Sequence, residues 1–190
     1  SARHLTPASG ACYMAASAFV IHVPEAEACV GALRERFDAS VKLGVPAHIT
    51  VLVPFMPPER ITDAVLERAH AALIEVPAFC FDLVEIRRFP NTTYLSPQPP
   101  EPFVALTESL VRNFPSYPPF GGEFEAIIPH LTVAHGNAAE VEVAAVELAA
   151  IMRTHGRIAS SCASVALLEN SSGLWRQMHV FNLPARTNDA

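Results

Sequence analysis

Two β-branched, apolar runs, PAHITVLVPF around His48 and IIPHLTVAH around His130, constrain the fold of this chain more than any other feature. Each alternates with the period of two that a half-buried strand requires. In that alternation His48 and Thr50 fall on one strand face with Ile49 and Val51 on the other, and His130 and Thr132 share a face opposite Leu131 and Val133. Each run thus presents an imidazole and a hydroxyl together, about 6.6 Å apart along the strand.

The segments around the two runs follow each other in the same order. Residues 15–23 read as a strand, and Pro24-Glu25 opens a helix whose apolar stripe is Ala26, Cys29, Leu33 and Phe37. The first His-x-Thr strand spans 47–55. Pro57 and Pro58 start a second helix with Ile61, Val65, Ala69 and Leu73 on one face, Pro77 ends it, and residues 79–89 form a strand. The order then recurs: a short strand at 92–96, a Pro-rich turn, a helix from Glu101 with Phe103, Leu106, Leu110 and Phe114 aligned, the second His-x-Thr strand, a helix over about 138–155 and a closing strand at 161–168.

An order repeated in this way predicts an α+β fold with two lobes related by a pseudo-two-fold axis, each an antiparallel sheet backed by helices, around a central cleft. The expectation is a single two-lobed domain over 1–190 with interleaved lobes, its first half about 11–90 and its second about 91–184. VALLEN and LWRQMHVFNL, joined by Ser171-Ser172-Gly173, read as a final hairpin, and residues 185–190 as a flexible tail.

Composition removes several classes of partner. With 13 Lys and Arg and a net charge of −6, the chain has no basic stripe for extended duplex nucleic acid, which leaves a small nucleotide or an RNA end as its nucleic-acid partner. The longest apolar stretch, 14–23, is too short to span a bilayer, so no membrane partner and no signal peptide are expected. Cys12, Cys29, Cys80 and Cys162 are scattered without metal-site or disulfide spacing, which predicts reduced, mostly buried thiols in a cytoplasmic protein. A monomer is expected.

A His-x-Thr match alone says little, since chance supplies roughly 0.4 of them in a chain of this composition. A third copy, His4-Leu5-Thr6, is followed at once by Pro7 and has no β-rich run around it. The other two gain weight from their matching places in the repeat. Facing each other, they form a clamp in which one histidine takes a proton while the other gives one and the hydroxyls hold phosphoryl oxygens. Histidine suits both roles because its unperturbed pKa of ~6.5 leaves both forms accessible near neutrality. His22, His70, His135, His155 and His179 read as structural or surface residues, and alternation turns His135 away from the face of Thr132.

The segment 114–124, FPSYPPFGGEF, has two readings: a cleft wall stacking a base on Tyr117 or Phe120, or a proline-pinned loop whose aromatics cover the core. Tyr94 and Trp175 face the same choice. Two other functions compete with a phosphoesterase. One is a non-catalytic nucleotide- or phosphate-binding module. The other is a zinc hydrolase built on His48 and His130, which fares badly because neither motif contains a carboxylate and threonine is a poor zinc ligand.

Paired H-h-T-h strands roughly eighty residues apart in a chain near 190, together with the loop YPPFGG and the second motif PHLTVA, resemble the two-histidine (2H) phosphoesterase superfamily, in particular its bacterial branch of 2′-5′ RNA ligase family proteins. The resemblance covers most of the chain. It implies a bilobal fold with the motifs facing across a cleft, and a cyclic phosphodiesterase or 2′-5′ RNA ligase-like activity on 2′,3′-cyclic phosphates or 2′-5′ phosphodiesters, with no metal and no cofactor. By the same resemblance His48 and His130 are the catalytic acid and base, and Thr50 and Thr132 bind the phosphate. One departure stands out: many relatives carry Arg or Lys a few residues after the second Thr, where this chain has His135. Arg87 and Arg88 are candidates to replace that charge, Arg88 the preferred one, since a guanidinium takes phosphate oxygens two at a time.

Overall fold

The structure, a computed structural model, describes residues 14–123 and 126–186. His4-Leu5-Thr6, Cys12, Phe124 and residues 187–190 of the expected tail lie outside the described residues. In chain order the elements are β1 (Ser17–His22), α1 (Glu27–Phe37), β2 (His48–Leu52), α2 (Asp63–Leu73), β3 (Phe79–Phe89), β4 (Thr92–Gln98), α3 (Glu101–Asn113), β5 (Leu131–His135), α4 (Ala138–His155), β6 (Ile158–Cys162), β7 (Ser164–Glu169) and β8 (Arg176–Asn182). They build two four-stranded antiparallel sheets, in the orders β2-β1-β7-β8 and β5-β4-β3-β6. The motif strands β2 and β5 occupy corresponding edges, each beside the strand that opens its half of the repeat.

Several boundaries differ from the sequence reading. The closing strand is two strands, β6 and β7, because the chain leaves the second sheet at Ala163 and enters the first: β6 pairs with β3, and β7 with β1. Each early helix begins later than its prolines suggest. Pro24–Ala26 and Pro58–Arg60 form single tight turns, and α2 starts only at Asp63, where the Thr62 hydroxyl accepts the Val65 N–H at 3.3 Å. Strand β4 runs on through Pro97 to Gln98.

The chain crosses between sheets twice. Strand β3 follows α2 yet joins the sheet of β4, and the β7–β8 hairpin returns to the sheet of β1. One continuous core fills the helix-facing sides of both sheets, with Phe19, Ile49, Val51, Leu83, Leu131 and Val133 meeting Leu33, Leu106, Leu110 and Leu148 of the helices. Helix α1 packs on β5 and α3 on β2, so the helix of each half braces the motif strand of the other. The Thr107 hydroxyl of α3 donates to the Val51 carbonyl at 2.7 Å, fixing β2 at the edge of its sheet. Cys29 and Cys162 are buried and Cys80 is exposed. Among the described residues no helix is long and apolar enough to cross a membrane.

Candidate functional site

The edges β2 and β5 lie against each other, which brings the two motifs together. Both strands carry the same irregularity. Val20 pairs with Thr50 and Phe19 with Leu52, so Val51 is skipped; Tyr94 pairs with Thr132 and Thr93 with Ala134, so Val133 is skipped. A bulge directly after each Thr resets the alternation. Val51 and Leu52 are therefore both buried, as are Val133 and Ala134. The residues that follow, Val53 and His135, come round to the face of the threonines. This corrects the expectation for His135: it stands on the face of Thr132, one cross-strand row further out, with its Nδ1 2.9 Å from the Thr92 hydroxyl. An extra residue in the ladder cannot be seen in a period-two pattern.

The two motif histidines are held alike. His48 Nδ1 lies 2.8 Å from the Pro46 carbonyl and His130 Nδ1 2.8 Å from the Ile128 carbonyl, in each case the carbonyl two residues back. A carbonyl only accepts, so Nδ1 carries the hydrogen and the neutral ring keeps its lone pair on Nε2. Burial pushes both rings below the ordinary histidine range. His48 falls to about 4, burial being the largest cause, with the Pro46 bond pulling upward and the Arg34 cation pressing down. His130 is lowered by burial against the pull of its Ile128 bond. Both rings are thus neutral at neutral pH, before any ligand arrives.

Their surroundings differ. Beneath His48, the guanidinium of Arg34 is 1% exposed. Its Nε donates to Asp38 at 3.1 Å and its Nη2 to the Ser40 hydroxyl and the Val45 carbonyl at 3.0 Å each, which ties down the loop leading to Pro46. Glu27, in the first turn of α1, accepts the Ala47 N–H at 2.6 Å and so fixes the residue before His48. His22 faces His48 across the β1–β2 pair, and among the described residues its buried Nδ1 has no hydrogen-bond partner. His130 has aromatic neighbours instead. Phe89 meets it at 5.3 Å and 89°, Tyr94 at 5.5 Å and 64°, and these two rings stack on each other at 4.4 Å.

Thr50 of the first motif and His130 of the second line one pocket, together with Thr107, Pro119, Phe120 and Ile128. It encloses about 30 Å³, room for a small oxygen-bearing group and not for a nucleoside. The Phe120 N–H donates to the Val53 carbonyl at 2.7 Å, which seats that half-exposed ring at the pocket wall. Tyr117 does not reach the pocket; it packs on Phe55 at 5.4 Å as part of the core. Trp175 likewise lies with Val45 and Val53 over Ala18, Val20, Ala166 and Leu168, covering the first sheet where it anchors the hairpin.

Arg88 turns to the helix side of the second sheet and pairs there with Glu142 of α4. Arg87 is the arginine on the face of Thr132, paired at 2.6 Å with Glu85. Arg34, His22 and the contact of Phe89 with His130 add to the site residues expected from the sequence. A charged residue beside Val30 and Leu33 in an apolar stripe, four residues before Asp38, is the visible sign of a buried ion pair; the His22–His48 pairing depends on register and leaves no local sign. Among the described residues, no three His, Cys, Asp or Glu side chains stand close enough to share a metal ion.

The profile of the 2′-5′ RNA ligase superfamily matches residues 22–173. No curated protein matches the chain in sequence. Solved structures do resemble it: TT0787 of Thermus thermophilus, 18% identical with a TM-score of 0.57, covering 90% of this chain and 99% of that one; and E. coli LigT complexed with 3′-AMP, 13% identical with a TM-score of 0.56, covering 88% and 97%. LigT complexed with NADP+ is 14% identical with a TM-score of 0.54, covering 91% and 99%. At these identities the likeness is one of fold. The profile spans most of the chain, both motifs included, and the chain therefore belongs to the 2′-5′ RNA ligase superfamily, the two-histidine phosphoesterases.

Proposed function

We propose that the protein is a metal-independent phosphoesterase that opens a 2′,3′-cyclic phosphate, or cleaves a 2′-5′ phosphodiester, on a nucleotide or RNA end. The observation that carries this reading is the pair of identically pinned imidazoles, each with Nδ1 engaged and Nε2 available, each followed by a threonine hydroxyl on the same face. In hydrolysis one Nε2 takes a proton from water, whose oxygen attacks phosphorus. The bond from phosphorus to one ribose oxygen breaks, and the other imidazole, protonated at Nε2, gives its proton to that leaving oxygen. The Thr50 and Thr132 hydroxyls donate to the non-bridging oxygens, where charge builds. Reversed, the same steps join a hydroxyl to a cyclic phosphate.

An anionic phosphate between the two rings favours the charged form of one of them, which supplies the acid that the ligand-free site lacks near neutrality. LigT, a structural relative, is seen with small nucleotides bound, which supports a nucleotide or an RNA end as the substrate here. The test is incubation with 2′,3′-cyclic nucleotides and a 2′-5′-linked dinucleotide in the presence of EDTA, followed by product separation. Turnover supports the phosphoesterase. Saturable binding without product would establish a binding module in its place.

A further inference from the structure

The pocket lined by Thr50 and His130 is small, and on its other side His130 adjoins the open face of the second sheet through Phe89 and Tyr94. That face has a definite composition beside the site. Arg87, Tyr94 and Thr132 stand in one cross-strand row over β3, β4 and β5. The backbone of Arg87 is thus about 10 Å from that of Thr132, two strand spacings. On the same face Phe89, half-buried, stacks on buried Tyr94 and abuts His130 edge-on, so the row that holds Arg87 adjoins the histidine through apolar rings. Burial raises the Tyr94 hydroxyl above its ordinary pKa, and the charge of Arg87 acts against that shift from close by.

Arg87 is half-exposed, and so is Glu85, its partner two residues back on the same face. An exposed pair of this kind is weak, so a phosphate can displace the carboxylate and take the guanidinium in a bidentate contact. Arg88, committed to Glu142 on the opposite side, has no access to this face.

We propose that Arg87 is a second anion contact of this cleft, and that the preferred substrate carries a second phosphate beside the reacting one. This rests on the phosphoesterase reading and narrows it. A lone nucleoside 2′,3′-cyclic phosphate offers nothing to Arg87; an oligonucleotide end, or a cyclic nucleotide with a 5′-phosphate, does. Glu85 competes with that phosphate and limits its affinity.

The experiment compares adenosine 2′,3′-cyclic phosphate, its 5′-phosphorylated form and the dinucleotide ApA ending in a 2′,3′-cyclic phosphate, with kcat and KM measured for the wild type, Arg87→Ala and Glu85→Gln. In the wild type the second phosphate lowers KM about tenfold, the value of one charge-assisted contact. The substrate that shows the gain tells whether the phosphate is terminal or internucleotide. In Arg87→Ala the three KM values converge, and in Glu85→Gln they spread further. Equal KM values in the wild type, or an Arg87→Ala effect of the same size on all three, overturns the proposal. Absence of turnover on all three contradicts the phosphoesterase reading instead; the anion site is then judged by equilibrium dialysis of the same nucleotides, where binding that Arg87→Ala does not weaken overturns it.

Discussion

His48 and His130 are poised by the same local device, a ring nitrogen bonded to the carbonyl two residues back, and burial sets their charge. The consequence for stability has a definite sign. A histidine whose folded pKa lies below its unfolded value of ~6.5 stabilises the fold fully above that value, and the contribution is lost as pH falls through the folded pKa. For His48 the window runs from ~6.5 down to about 4. The melting temperature should drop across this window in the wild type and drop less in His48→Gln; parallel curves would contradict the shift. Activity follows the same values. The alkaline limb of kcat/KM reports the acid of the free enzyme, so a depressed His130 or His48 places it below ~6.5 and gives a bell-shaped profile with an acidic optimum. A limb above pH ~7.5 would contradict the buried, neutral pair. Both residues, with their threonines, are visible in the sequence because a strand's period of two places them on one face. Their pKa values are not, since desolvation depends on what covers them.

The element that most shapes the first motif is not a strand but the loop before it, and Arg34 holds that loop from inside α1. Removing one partner of a buried ion pair leaves the other charge uncompensated, at a cost of about 3–5 kcal/mol. Arg34→Ala should therefore lower stability by that amount, with Asp38 left stranded, whereas Arg34→Met combined with Asp38→Leu should recover most of it. Denaturant unfolding measures both. If Arg34→Ala is as stable as the wild type, the loop is held by other contacts, such as the Trp175 N–H to Leu43 carbonyl bond of 2.8 Å. Gly44, at φ +89° and with the Trp175 carbonyl 3.3 Å from where a Cβ would sit, lets that loop pass under the hairpin. The long helices α3 and α4 are legible from their starts, because apolar periodicity and a clear first residue define them: Glu101 after two prolines, and the Asn137 side chain accepting the Glu140 N–H at 2.9 Å. The bulges after Thr50 and Thr132 are not legible, and with them went the facing of His135.

At the scale of the molecule, the chain leaves the first sheet after β2, builds the whole second sheet from β3 to β6, and returns, so that the first sheet is made of the two ends of the fold. Strand β1 has β7, about 150 residues later, as one of its two neighbours, and one core joins both sheets. The protein should unfold in a single cooperative transition, with fluorescence and circular dichroism coincident. A fragment ending at residue 90 lacks β7 and should not fold alone; a folded fragment of that kind would contradict the shared core. The repeat of strand, helix and motif strand was readable from the order of apolar patterns. The crossing at Ala163 was not, because a one-residue break between two strands of like composition leaves no turn signal. The whole arrangement presses two edge strands together, and the proposed function uses one imidazole from each on one phosphate. The most direct test is the single-turnover rate of His48→Ala and of His130→Ala on a 2′,3′-cyclic nucleotide with EDTA present, each variant first shown to melt like the wild type. The expected result is a loss of about two to four orders of magnitude in each variant; full activity retained by either one would contradict a mechanism that needs both.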